Sequence, residues 1–179
     1  MDKYLQFLQA AEARDAVTLV RLIQDEPALH ACDGEDGSLL DMIRHHCPEL
    51  FPAAFAAGLS PDSGPDSPHQ TLLQRAVCDS ELELIRLCLR HGADVERRNN
   101  EGETALGYAA SWGTLEVVRL LVEAGAAVNA IEGRQEGFYS TALDSTFSSD
   151  PASDRPAIRD YLREHGAKRF SELSPTPEE

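Results

Sequence analysis

The central part of the chain repeats itself at an offset of 33 residues. Thr71–Ala76 (TLLQRA) aligns with Thr104–Ala109 (TALGYA), and His91–Val95 (HGADV) aligns with Ala124–Val128 (AGAAV). Between these segments the apolar positions also match, and no gap is needed. A fixed period of this length is typical of repeat proteins, in which each unit buries its apolar face only against its neighbours. The chain is therefore predicted to be a stack of small units.

Each repeat unit predicts two short helices. The first begins after a threonine, Thr71 or Thr104, whose hydroxyl can accept a hydrogen bond from the exposed N–H groups of the first turn. The second has apolar residues at helical spacing, as in Leu115–Val122. It ends at Gly92 or Gly125, and glycine readily adopts the left-handed conformation found at helix C-termini. Helices of this length are unstable alone in water, so burial between neighbouring units must stabilise them.

These segments resemble the ankyrin repeat, a unit of about 33 residues whose first helix opens with Thr-Pro-Leu-His-x-Ala. The matching stretches are Thr104–Ala110 (TALGYAA) and Leu120–Ala130 (LLVEAGAAVNA). The chain departs from the family at the proline and the histidine, which are Ala105 and Gly107 in this repeat. The resemblance implies an all-α fold, an ankyrin-repeat solenoid of about five helix-turn-helix repeats.

Weaker copies of the repeat extend in both directions. We predict an ankyrin-repeat domain over residues 1–170, with repeats at approximately 4–32, 33–65, 66–98, 99–131 and 136–170. Pro48 and Pro52 place the second helix of the second repeat in question, because proline disrupts a helix interior. Residues 171–179 (SELSPTPEE) are predicted to be a disordered tail.

The resemblance also implies where a partner protein would bind. Ankyrin repeats contact their partners through the end of the first helix and through the loops between repeats, called fingers, which line a concave face. By position, the ends of the first helices supply Arg14, His45, His46, Asp79, Ser111, Trp112, Ser148 and Ser149. The fingers supply Glu35, Asp36, His69, Gln70, Asn100, Glu101 and Glu103.

Two aromatic features stand out among these positions. Trp112 is the only tryptophan of the chain, and tryptophan is over-represented among residues that dominate binding energy. It is predicted to anchor the partner; the alternative is that it only covers the neighbouring repeat. The finger at residues 131–140 is four residues longer than the one before it. Its Ile131, Phe138 and Tyr139 are predicted to contact the partner; alternatively, Phe138 and Tyr139 fold back over the irregular last repeat.

Charge narrows the class of partner. The chain has 16 Lys and Arg residues against 31 Asp and Glu, a formal net charge of −15. This excess disfavours nucleic acid and anionic membranes. It favours a protein with a basic surface, attracted by the acidic finger residues. A small acidic chain of this kind is predicted to act as an inhibitor, for example an immunity-type protein. An adaptor or scaffold subunit of a larger assembly explains the same features.

No catalytic or cofactor chemistry is predicted. His45, His46 and Cys47 are residue types that bind metals, but adjacent residues on one helix do not converge on a tetrahedral ion. The sequence has no phosphate-binding loop, dinucleotide-binding glycine pattern, nucleophile elbow or HExxH motif. We therefore expect no enzyme, no metal and no cofactor. An enzyme with an unrecognised site in the groove is the remaining alternative.

The expected setting is the cytoplasm of a bacterium, with the chain as a monomer. The first residues do not show a basic stretch followed by an apolar one, and no apolar run approaches bilayer length. The four cysteines form no CxxC pair, which favours reduced thiols. Arginine outnumbers lysine by 14 to 2, as is typical of a GC-rich bacterial source.

Overall fold

The computed structural model describes residues 3–31, 33–34, 37–63, 71–99, 101–135, 138–147 and 155–173. These residues divide into two compact units. One lies within Met1–Pro68 and Arg90–Ala93, and the other lies within His69–Leu89 and Asp94–Glu179. Both are built mainly from short helices, as predicted.

The first unit consists of helix pairs. In chain order its elements are α1 (Lys3–Glu12), α2 (Ala16–Asp25), a 3-10 helix (Pro27–Ala31), β1 (Asp33–Gly34), β2 (Gly37–Ser38), α3 (Leu39–His46), a 3-10 helix (Pro48–Leu50) and α4 (Phe51–Ala56). Helix α1 packs against α2 and α3, and α2 packs against α4. The first helices of successive repeats are therefore neighbours, and so are the second helices.

The second unit also consists mainly of helix pairs. Its elements are α5 (Leu72–Cys78), α6 (Leu82–Arg90), α7 (Ala105–Trp112), α8 (Leu115–Glu123), β3 (Glu132–Gln135), β4 (Phe138–Ser140), α9 (Ala142–Ser145), α10 (Arg155–Glu164) and α11 (Phe170–Leu173). Helix α7 packs between α5 and α9, and α8 packs against α10. This order places the ends of α7 and α9 beside the start of α10.

The predicted helix starts and ends are confirmed. The side chains of Thr71, Thr104 and Thr141 each accept a hydrogen bond from the backbone N–H three residues further on. Ser38 caps α3 in the same way. Helices α4, α6, α8 and α10 are each followed closely by a glycine whose φ lies between +80° and +107°. Only glycine adopts this left-handed region without a steric cost.

The two prolines of the second repeat do not prevent its second helix. Pro48 begins a 3-10 helix, and Pro52 lies in the first turn of α4. Backbone N–H groups in a first turn have no partner within the helix, so proline loses no hydrogen bond there.

Two further details differ from the predictions. Two fingers contain short antiparallel hairpins, β1 with β2 and β3 with β4, where the sequence indicated only loops. The predicted tail begins too early, because residues 171–173 belong to α11. The Phe170 backbone N–H donates to Asp144 at 2.7 Å, and Glu172 pairs with Arg163 at 3.0 Å, which holds α11 on the last repeat.

The core of the second unit lies between its first and second helices. Fully buried side chains come from every long helix of the unit: Leu73, Ala76 and Val77 of α5, Ile85 and Cys88 of α6, Leu106, Ala109 and Ala110 of α7, Val117, Val118 and Leu121 of α8, and Ile158 and Leu162 of α10. Across the described ranges, no helix is both long enough and apolar enough to cross a bilayer.

Candidate protein-binding surface

Trp112 lies at the C-terminal end of α7 and is 68% exposed. Most of the other apolar side chains of α7, such as Leu106 and Ala109, are buried, because α5 and α9 cover this helix on both sides. Trp112 comes after these covered turns, so its indole projects into solvent. This exposure is compatible with the prediction that Trp112 contacts a partner.

Arg155, the first residue of α10, contacts the end of α7. Its Nη2 donates to the carbonyl oxygen of Ser111 at 2.8 Å. Its guanidinium carbon lies 5.6 Å from the ring centroid of Trp112, within range of a cation–π interaction. The residue is only 4% exposed. Considering all the residues that the structure describes, Nε and Nη1 of Arg155 are buried and have no hydrogen-bond partner.

A second exposed aromatic residue, Phe147, follows α9 and lies between two arginines. The guanidinium carbon of Arg159 is 4.1 Å from the Phe147 ring centroid, and that of Arg169 is 4.6 Å away. Arg159 Nη2 also donates to the carbonyl oxygen of Thr146 at 2.9 Å, and Arg169 Nε donates to Asp144 Oδ1 at 2.8 Å. Both guanidinium groups are therefore held in place over the ring.

Tyr139 of β4 extends this group of side chains. Its ring is exposed and contacts Phe170, with 5.5 Å between the ring centroids. Phe170 is next to Arg169 in sequence, so Tyr139 is connected to the Phe147 cluster. We call these three exposed rings and the three arginines beside them the aromatic–arginine surface. The rings are those of Trp112, Tyr139 and Phe147, and the arginines are Arg155, Arg159 and Arg169.

Asp144 holds one edge of this surface in place. Its carboxylate accepts hydrogen bonds from Arg169, from the backbone N–H of Phe170 and from Thr141. Burial opposes ionisation of Asp144, but these hydrogen bonds outweigh it, so the pKa of Asp144 lies below its ordinary value.

Glu132 fixes the base of the long finger. It is 3% exposed, and its Oε1 accepts from the backbone N–H of Thr104 at 2.9 Å and from the Thr104 hydroxyl at 2.7 Å. A side chain at Gly107 would overlap this carboxylate. Burial raises the pKa of Glu132 above its ordinary value, and neighbouring Glu103 adds to the increase; the hydrogen bonds from Thr104 and the charge of Arg98 oppose it.

The acidic residues predicted to meet a basic partner have different environments. Asp79, at the end of α5, and Glu101 are exposed. Glu103 is only 5% exposed, its carboxylate accepts a hydrogen bond from Asn99 Nδ2 at 3.3 Å, and its carbonyl oxygen accepts one from Gln74 Nε2 at 2.9 Å. Glu103 is therefore buried and hydrogen-bonded within the repeat, whereas the sequence predicted that it contacts a partner.

Tyr108 lies beside these residues on α7. A hydrogen bond with the Cys78 side chain, together with burial and the charges of Cys78, Glu103 and Asp79, raises the pKa of Tyr108 to about 12.

The remaining predicted residues of the second unit are grouped around the same helix ends. Ser111 is half-buried, and its carbonyl oxygen is the acceptor for Arg155. Ile131 is exposed next to β3. Phe138 belongs to β4, but its side chain lies outside what the structure describes.

In the first unit, those predicted residues that the structure describes form no comparable cluster. Arg14 is exposed in the turn between α1 and α2, at φ +54°, and pairs with Glu49 at 3.3 Å. His45 is exposed and His46 half-buried at the end of α3, whereas Cys47 is buried. Among the residues described here, no group of three or more His, Cys, Asp or Glu side chains could hold a metal ion.

Seven predicted contact residues lie outside the described residues: Glu35, Asp36, His69, Gln70, Asn100, Ser148 and Ser149. Five residues with a position in this surface or at its base were not predicted from the sequence: Phe147, Arg155, Arg159, Arg169 and Glu132. A signal was available for two of them, because Arg155 and Arg159 are four residues apart and therefore share one face of a helix.

The paired helices, their caps and the loops between them define a repeat protein built from helical hairpins. A family model of ankyrin repeats, in three copies, matches residues 8–132. The chain belongs to the ankyrin-repeat family, and the predicted ankyrin-repeat solenoid is confirmed. Ankyrin repeats are a general module for protein–protein interaction and are not usually enzymes.

Similar proteins share repeats with the chain. Rabankyrin-5 from Mus musculus is 40% identical over 85 residues, which cover 40% of this chain and 7% of that protein. Cortactin-binding protein 2 from Oryctolagus cuniculus is 35% identical over 100 residues, covering 55% of this chain and 6% of that protein. Notch-regulated ankyrin repeat-containing protein A from Danio rerio is 41% identical over 59 residues, covering 33% and 51%. The chain thus spans at most about half of the length of each of these relatives.

A solved structure extends the similarity over most of the chain. The crystal structure of an ankyrin repeat domain from Acinetobacter baumannii AYE has a TM-score of 0.71 and 28% sequence identity, and the match covers 93% of this chain and 83% of that one. The ankyrin-repeat fold of this chain is therefore similar to that of a bacterial ankyrin repeat domain.

Proposed function

We propose that the chain is a non-enzymatic binding module for another protein, which it contacts through the ends of its first helices and its fingers. The principal support is Trp112, which is 68% exposed at the end of a helix whose other apolar side chains are mostly buried. A large aromatic side chain left in solvent costs free energy that a partner can recover by covering it. The name of cortactin-binding protein 2, which describes a protein that binds another protein, agrees with this proposal.

The partner is proposed to have a basic surface. The net charge of −15 would attract it, and Asp79 and Glu101 are exposed to meet it. If electrostatic attraction guides association, the association rate should fall as salt concentration rises. An association rate that is independent of salt would contradict a basic partner.

The test of protein binding is copurification of a tagged chain from its source, followed by affinity measurement with Trp112→Ala. We expect a loss of at least about tenfold in affinity, because truncating a binding hot spot costs about 2 kcal/mol or more. Val17→Ala is the matched control, since Val17 is an apolar residue of the first unit that is 81% exposed. Equal affinities for Trp112→Ala and wild type would remove Trp112 as the anchor.

The mode of action is proposed to be inhibition, with an adaptor or scaffold role as the alternative. An inhibitor should abolish the activity of its partner at equimolar concentration, whereas an adaptor should leave that activity intact and recruit a third component. We further propose that the chain acts as a monomer in the cytoplasm. An enzyme would instead show turnover that one substitution in the groove abolishes without a change in stability.

A further inference from the structure

We propose that the aromatic–arginine surface binds an acidic segment of a protein partner, with carboxylates on the arginines and apolar groups on the rings. This inference rests on the proposed function and deepens it by naming the chemistry of one contact. It concerns different residues from the basic contact proposed above, which involves Asp79 and Glu101. A partner that meets both regions would present both signs of charge.

The first support is the unsatisfied hydrogen-bonding capacity of Arg155. The side chain is 4% exposed, and within the described residues its Nε and Nη1 have no acceptor. Buried donors without partners are costly, and charged donors are the most costly. The Trp112 ring that contacts Arg155 is itself exposed, so a rotation of this ring would open the guanidinium to a carboxylate.

The second support is the local charge. Residues 155–173 contain five Lys and Arg residues and three Asp and Glu, although the whole chain has a formal charge of −15. Arg159 and Arg169 are held against Phe147, by Thr146 and by Asp144 respectively, so little side-chain freedom is lost when a carboxylate binds. Preorganised guanidinium groups beside exposed rings fit a segment with carboxylate and apolar side chains.

The experiment uses Trp112 itself as the probe. Because it is the only tryptophan, the tryptophan fluorescence of the chain reports on the surroundings of this surface. The full chain is titrated with a short peptide of alternating Asp and Gly residues, and separately with its Lys–Gly counterpart, at low and at high salt. We expect the acidic peptide to change the emission in a saturable way that weakens with salt. A response to the Lys–Gly peptide of equal or greater affinity would overturn the inference.

Substitutions locate the contact. Arg159→Gln should weaken the binding of the acidic peptide by about tenfold, the loss expected for one charge-assisted hydrogen bond. Because this substitution also removes the hydrogen bond to Thr146, affinities are compared at a temperature at which both proteins are fully folded. Arg21→Gln, at an exposed arginine of α2, is the matched control and should have no effect. Arg155→Gln is tested as well. If Arg155→Gln does not fold, the result for Arg159→Gln decides whether the surface binds the acidic peptide. Equal affinities for Arg159→Gln and wild type would contradict the proposal.

The inference and the proposed function can fail separately. If a copurified protein loses affinity on Trp112→Ala but only the Lys–Gly peptide binds, the function stands and the acidic segment is excluded. If the Asp–Gly peptide binds and no protein copurifies, the surface is supported and the proposed function fails. Self-association in sedimentation, abolished by Arg159→Gln and without any peptide response, would identify a second copy as the occupant and overturn the inference.

Discussion

Glu132 provides the sharpest test of how this chain is held together. Its carboxylate accepts two hydrogen bonds from Thr104, one from the backbone N–H and one from the hydroxyl, and both residues are almost fully buried. Glu132→Ala removes both bonds, whereas Glu132→Gln keeps an acceptor oxygen of similar geometry without the charge. Comparing the two substitutions separates the hydrogen bonds from the charge.

Glu132→Ala is expected to lower the free energy of unfolding by about 2–4 kcal/mol. Each neutral buried donor left without a partner costs about 1–3 kcal/mol, and two donors of Thr104 are affected, although the hydroxyl can rotate toward another acceptor. Glu132→Gln should lower the free energy of unfolding much less at neutral pH. The substitution is stabilising if the cost of burying the carboxylate charge exceeds the loss from replacing a charged acceptor of the Thr104 hydrogen bonds with a neutral one.

The pH dependence follows from the raised pKa of Glu132. In the folded state the protonated form is favoured, so the folded chain binds more protons than the unfolded chain between the ordinary pKa of 4.5 and the raised value. The stability contribution is therefore fully present below pH 4.5 and is lost as the pH rises through the raised pKa. Glutamine does not titrate, so the wild type should gain stability relative to Glu132→Gln as the pH falls.

Urea denaturation of wild type, Glu132→Gln and Glu132→Ala over a range of pH measures these differences directly. Glu101→Gln, at an exposed carboxylate, is the control and should show no comparable shift. If Glu132→Gln were as destabilised as Glu132→Ala at neutral pH, and the difference from wild type did not change with pH, the argument from the buried carboxylate would be refuted.

Three further predictions concern stability. Leu106→Ala should lower the free energy of unfolding by about 2–5 kcal/mol because it leaves a cavity where α7 packs against its neighbours, whereas Trp112→Ala should change it by less than about 0.5 kcal/mol. Denaturant titration compares the two variants, and equal losses would contradict the burial of Leu106. Gly102→Ala should cost more than about 1 kcal/mol, since Gly102 has φ +75° and a side chain there would overlap the Gly133 carbonyl oxygen; an unchanged melting temperature would refute this. Asp144→Ala should lower the free energy of unfolding by about 2 kcal/mol at neutral pH and by less as the pH falls. The reason is that a lowered pKa gives stability that is present above the ordinary value of 3.8 and is lost as the pH drops through the folded value. A pH-independent difference in melting temperature would contradict this prediction.

The helix starts and ends could be predicted from the sequence because each depends on one local residue. A threonine before an apolar run caps a helix through its own hydroxyl, and glycine ends one through its backbone freedom. Thr104 and Gly125 therefore identify their roles without any knowledge of the neighbouring repeats. The same locality explains why α4 forms, since a proline such as Pro52 is tolerated in a first turn.

The aromatic–arginine surface could not be predicted in this way because its contacts are distant in sequence. Arg155 and Ser111 are 44 positions apart, and the pairing of Phe147 with Arg169 depends on how the last repeat closes on α9. Charge counting over the whole chain also obscured it, because an excess of carboxylates elsewhere conceals a segment rich in arginine.

The position that is histidine in the ankyrin family is Gln74, Gly107 and Asp144 in three repeats of this chain. The contact between the first helix and the following finger therefore differs from repeat to repeat. Gln74 donates to the carbonyl oxygens of Arg97 and Glu103 and so connects α5 to the following finger. Asp144 makes the corresponding connection for α9 as an acceptor. Gly107 has no side chain to make this connection. Instead, Glu132 of the following finger contacts the start of α7, where it accepts a hydrogen bond from Thr104. A neutral amide, an ionised carboxylate with a lowered pKa and a buried carboxylate with a raised pKa respond differently to protons. Acidification should therefore increase the stability that Glu132 contributes, decrease the stability that Asp144 contributes and leave the contribution of Gln74 unchanged.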